Sequence, residues 1–71
     1  MKELIVRSKN PAALDQTLSQ MGGRVGQNSD GSYTQDSNGH YSVRGINIGF
    51  LAYAIRQQGY AEVVGEREIP S

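Results

Sequence analysis

Residues 24–44 read RVGQNSDGSYTQDSNGHYSVR, and how this stretch divides decides the fold. Asp30-Gly31 and Asn38-Gly39 are tight-turn pairs: glycine accepts positive φ, and Asp or Asn side chains bond their own backbone. Around the turns lie short extended segments. Arg24–Gln27 carries Val25, and Ser32–Gln35 carries Tyr33. His40–Arg44 alternates, with Tyr41 and Val43 on one face and His40, Ser42 and Arg44 on the other. The stretch therefore reads as a hairpin or a three-strand meander with polar tips. An extra short strand within residues 24–36 would make the sheet five-stranded.

Upstream, Glu3–Arg7 (ELIVR) is a strand of β-branched and aliphatic residues, with Leu4 and Val6 facing one way and Ile5 the other. Asn10-Pro11 opens a helix, since Asn caps well and Pro at the first helical position forfeits no needed hydrogen bond. Leu14, Leu18 and Met21 form its stripe at i, i+4 and i+7. Gly22-Gly23 ends it. Downstream, Asn47 caps a second helix whose buried stripe is Ile48, Leu51, Ala52 and Ile55. Ile46 and Leu51 occupy the staple positions. Phe50 and Tyr53 widen the stripe, predicting more than one neighbour for this helix. Gly59 ends it, and Tyr60–Val64 is the last strand, with Ala61 and Val63 on one face.

The order is β-α-β-β-α-β. It predicts an α+β, ferredoxin-like (split βαβ) fold, an antiparallel sheet with two helices on one face. Residues 1–65 form one domain and residues 66–71 a loose polar tail.

The chain has 71 residues and no cysteine, and its seven basic side chains balance its seven acidic ones. A core this small supplies only about 3–5 kcal/mol of net stability, which makes a homodimer plausible. Without thiols there is no disulfide and no thiolate ligand. A balanced charge argues against a dedicated nucleic-acid binder, which usually carries a basic excess. No apolar run approaches the about 20 residues of a spanning helix, and the N-terminus lacks the about 7–15 apolar residues of a signal peptide. A cytoplasmic protein with no membrane contact is expected.

The chemical readings of 27–41 fail on missing partners. His40 has Asp36, Ser37 and Ser42 nearby, but turn tips do not hold a base to catalytic tolerance. Asp30 and Asp36 suit turn bonding better than acid–base work. Aligning Gly39 with the glycine of a calcium loop puts Thr34 in the first ligand position and Gly45 where the bidentate Glu belongs. One histidine is too few for a zinc site. Gly22–Gly26 contains a G-x-x-G with an arginine, yet it leads into a strand rather than joining two helices. Gly45–Gly49 precedes a helix without any phosphate-loop spacing. No cofactor, metal or catalytic residue is assigned, and no enzymatic activity is expected.

The remaining candidate is the open sheet face: Ile5, Arg7, His40, Ser42, Arg44, Tyr60, Glu62 and Val64. Exposed aliphatic and aromatic groups there favour a protein contact. The expected function is that of a small stand-alone, non-enzymatic binding protein that modulates or inhibits a larger protein, a description that phage and plasmid inhibitors fit. The alternative is an RNA- or DNA-binding module using the same face through Arg7, Arg44, His40 and Arg24, although no aromatic run for base stacking is present.

Overall fold

The computed structural model describes residues 2–59 and 61–69. It is a small α+β structure with one four-stranded antiparallel sheet and two helices. In chain order the elements are β1 (Lys2–Ser8), α1 (Pro11–Ser19), β2 (Gly23–Val25), β3 (Tyr41–Gly45), α2 (Ile48–Arg56) and β4 (Ala61–Glu68). The strands lie side by side as β2-β3-β1-β4, each neighbouring pair antiparallel.

Both helices start as the residue chemistry dictates. The Asn10 Oδ1 accepts the Ala13 N–H at 3.1 Å, and the Asn47 Oδ1 accepts the Phe50 N–H at 3.0 Å. Each bond satisfies an amide that the helix itself cannot reach. Leu14 and Leu18 of α1 join Leu51, Ala52 and Ile55 of α2 over Leu4, Val6, Val25 and Val43 of the sheet in one core. Burying each such aliphatic side chain contributes about 1.5–3 kcal/mol against leaving it in water. Both helices thus cover the same face. Met21 packs half-buried against that core, and Gly22, at φ +78°, turns the chain into β2.

Leu51 sets how closely α2 approaches the sheet. It lies over two glycines paired across β2 and β3, Gly23 and Gly45. A Cβ on Gly23 would stand 2.7 Å from the Leu51 Cδ1, and one on Gly45 would stand 2.8 Å from the Gly22 carbonyl oxygen. The pair is small because the leucine occupies the space that side chains would take.

The middle of the chain is simpler than a full meander. β2 ends at Val25, opposite Val43, and residues 33–35 then enter between the separating strands. The Gly26 N–H donates to the Ser42 carbonyl at 2.9 Å, and the Thr34 N–H donates to the Gly26 carbonyl at 3.0 Å. Tyr33 bridges to Gln27, and Gln35 to Tyr41. The expected strand at Ser32–Gln35 is therefore reduced to two isolated bridges, because its residues pair alternately with two different partners. The expected Arg24–Gln27 strand becomes Gly23–Val25 for the same reason. Both turns form as read, with Gly31 at φ +89° and Gly39 at φ +79°.

Three other expectations are corrected. Ile46 is 94% exposed, so no staple forms with buried Leu51; its side chain lies over Gly22 instead. Phe50 and Tyr53 do not widen the buried stripe, being 51% and 61% exposed. The principal neighbours of α2 are β4, β1 and β3, all on its inner side, and no described element covers Phe50 and Tyr53 on the outer one. Finally, Glu66–Glu68 belong to β4 instead of a loose tail, since β1 offers backbone partners as far as Lys2, which pairs with Glu68.

Candidate functional site

The sheet face turned away from the helices is built by strand alternation. Val25, Val43, Leu4 and Val6 are buried in the core, so Arg24, Arg44, Ser42, Glu3, Ile5 and Arg7 project from the other face. Ile5 stands opposite Ser42, and Arg24 opposite Arg44. Arg7 stands opposite Glu62 and forms an ion pair with it. Both of those side chains are more than half exposed, and such a pair adds at most about 1 kcal/mol.

The centre of this face is a residue outside the sequence-based candidates. Glu3 is only 2% exposed, although it lies on the side without helices. Two guanidinium groups cover it. The Arg44 Nε donates to its Oε2 at 3.0 Å, and the Arg67 Nε donates to its Oε1 at 2.7 Å, joined by the Arg67 Nη2. Burial works to raise the Glu3 pKa, but the hydrogen bonds and charges of Arg67 and Arg44 outweigh it and hold the carboxyl below its ordinary 4.5.

A β-bulge makes this cluster possible. From Ser8–Ala61 through Val6–Val63 the β1–β4 register is continuous; beyond it Ile5 pairs with Gly65, and Val64 is the inserted residue. Continued without the insertion, the register would set Glu3 opposite Glu66. With it, Glu3 meets Arg67. One extra residue replaces a like-charge pair with an opposite-charge pair.

The other predicted site residues are placed as follows. His40 is half-buried, with its Nδ1 4.0 Å from the Asp36 Oδ2. Asp36 accepts backbone N–H bonds from Asn38 and His40 at 2.8 and 2.9 Å, and Asp30 accepts one from Ser32 at 2.9 Å. Both aspartates therefore organise turns. For Asp36 the His40 bond leads in holding the pKa down, and for Asp30 the Ser32 side-chain and backbone bonds do so. Tyr33 and Tyr41 pack edge to face, 6.5 Å apart, against the core. Ile5 is only half-exposed, and Val64 is exposed at the bulge. Tyr60 lies outside the described residues. No group of three or more metal-ligating side chains occurs among the described residues. No helix among them is long and apolar enough to cross a membrane.

A second surface comes from α2. Phe50 and Tyr53, spaced i and i+3, are exposed on the outer side of the helix, and Ile46, which precedes the Asn47 cap and lies over Gly22, is exposed as well. Sequence periodicity located Phe50 and Tyr53 on the helix but assigned them to the interior. The missing information was the number of elements packed against α2.

The chain matches no protein-family model, and neither a curated protein nor a solved structure is significantly similar to it.

Proposed function

We propose that this domain is a non-enzymatic binding module that modulates or inhibits a larger protein through direct contact, with the outer side of α2 as its principal contact surface. The observation that carries this reading is the exposure of Ile46, Phe50 and Tyr53 together. Scattered exposed apolar residues are ordinary, but two aromatic side chains one turn apart on a helix, with an exposed isoleucine just ahead of its cap, are a concentration that favours protein contact. Aromatic side chains bring large contact area at low conformational cost, and interface hot spots are enriched in Tyr. The setting we propose is cytoplasmic. We further read the architecture as ferredoxin-like, a reading supported by β3 lying between β1 and β2, β1 between β3 and β4, and both helices sharing one core.

The test is affinity capture from lysate by the immobilised chain at about 0.05 and 0.5 M salt, a range that separates phosphate-backbone contacts from apolar ones. A stoichiometric protein retained at both, and lost when Phe50→Asp and Tyr53→Asp are combined, is the expected result. A protein captured equally by the double variant overturns the assignment to α2. Light scattering on the isolated chain checks the homodimer: a dimer that the double variant dissolves would assign that surface to a second copy instead.

The nucleic-acid reading has one observation in its favour, the three arginines Arg24, Arg44 and Arg67 on the open face. Against it, Tyr33 and Tyr41 pack against the core, so the face lacks their rings as a stacking platform.

A further inference from the structure

The geometry points to an oxyanion site on the open sheet face, in which Arg24, Arg44 and Arg67 bind a phosphate monoester beside the Ser42 hydroxyl. The argument begins with Glu3. A carboxylate that is 2% exposed is held by two arginines through their Nε edges, Arg67 adding one terminal nitrogen. Both carboxylate oxygens are thereby used. The Arg44 terminal nitrogens make no further hydrogen bond to described residues, while its side chain is 59% exposed. Glu3 thus acts as a fixed buttress that removes rotamer freedom from two guanidinium groups before any ligand arrives. Preorganised guanidinium donors suit the geometry of phosphate and carboxylate oxygens.

Charge balance supplies the second strand of the argument. Arg24 stands directly across from Arg44, and its guanidinium has no ion-pair partner among the described residues. Like charges directly opposite on a sheet are unfavourable. Arg44 and Arg67 share the one buried carboxylate, Glu3, and Arg24, on the far side of Arg44, adds a third positive charge that Glu3 does not contact. Asp36, the other carboxylate that senses Arg67, is already taken up by the backbone N–H groups of Asn38 and His40. A dianion placed against the arginines relieves this excess. Beside them lies a cleft of about 310 Å³ lined by Glu3, Gly26, Gln27, Thr34, Ser42, Arg44 and Arg67, room enough for one phosphoryl group. A compact focus of positive charge without a stacking surface suits a terminal phosphate better than an extended nucleic-acid backbone. The inference is independent of the α2 contact.

Backbone amide shifts of the full chain, titrated with inorganic phosphate and separately with O-phosphoserine at constant ionic strength, provide the test. The expected result is saturable movement of the Gly26, Gln27, Ser42 and Arg44 amides that chloride does not reproduce. The tighter of the two probes identifies the source as free anion or phosphorylated side chain. Arg24→Gln, at an exposed position outside the Glu3 bonds, weakens the binding about tenfold or more, the worth of one charge-assisted hydrogen bond. Arg7→Gln, whose arginine is paired with Glu62, leaves it unchanged. Non-saturable shifts matched by chloride, or an Arg24→Gln titration identical to wild type, overturn the site. Tighter binding of a single-stranded oligonucleotide at the same amides overturns the monoester assignment in favour of nucleic acid.

Discussion

The two helices begin alike and differ on their outer sides. Each spans nine residues, and each is capped by an asparagine bonding the amide three residues on. Each buries aliphatic residues in the shared core. The exposed side of α1 then carries Ala12, Gln16 and Ser19, an ordinary solvated surface. The exposed side of α2 carries Phe50 and Tyr53, and Ile46 is exposed before the cap. The same scaffold element is thus finished differently, and exposed aromatic side chains that lie outside the core call for another explanation than folding. Contact with a partner is the one proposed.

The inner sides give the largest expected effect. Leu51→Ala empties a fully buried site above two side-chain-free positions, and truncations of this kind cost about 2–5 kcal/mol. That equals most of the stability of a domain this small, so the variant should show no cooperative melt by circular dichroism. A melt close to wild type would place α2 in the wrong register and dissolve the inner–outer distinction. Next comes Arg67→Gln. It leaves the bulge in place but deprives a buried carboxylate of the Arg67 charge, at about 1–3 kcal/mol in urea unfolding. An unchanged midpoint would mean that Arg67 does not stabilise Glu3.

Acid should reveal the same cluster. Because the folded-state pKa of Glu3 lies below 4.5, its contribution is fully present above that value and is lost as pH falls through the lowered one. The melting temperature should decline more steeply below pH 4.5 in wild type than in Glu3→Gln. Parallel declines would show that the arginines add nothing specific. Smaller still are the caps. Asn10→Ala and Asn47→Ala should each cost about 1 kcal/mol, and similar values would support treating the helices as equivalent in all but their outer sides.

Much of this was legible in the chain. Asn10-Pro11 and Asn47 mark the helix starts, Asp30-Gly31 and Asn38-Gly39 the turns, and alternation puts Leu4, Val6 and Val43 inside. These are local signals, settled by a few neighbouring residues. Glu3–Arg67 was not legible, because it joins opposite ends of the chain and depends on a bulge that shifts the pairing by one residue. Phe50 and Tyr53 were misassigned because periodicity reports a helical stripe without saying what covers it. The candidate face was readable as a set of alternating residues, while its organising carboxylate was hidden by its position at the charged start of a strand.

The central claim is that the outer side of α2 serves contact and not folding. Its most direct test pairs the two helices in one affinity measurement against the captured partner, comparing the combined Phe50→Ser and Tyr53→Ser variant with Gln16→Ser on α1. The account predicts that the α2 variant melts within about 0.5 kcal/mol of wild type, as exposed substitutions do, yet binds about thirtyfold more weakly, a loss near 2 kcal/mol. The α1 variant should bind as wild type does. Equal affinities for both variants, or a large loss of stability in the α2 variant, would contradict it.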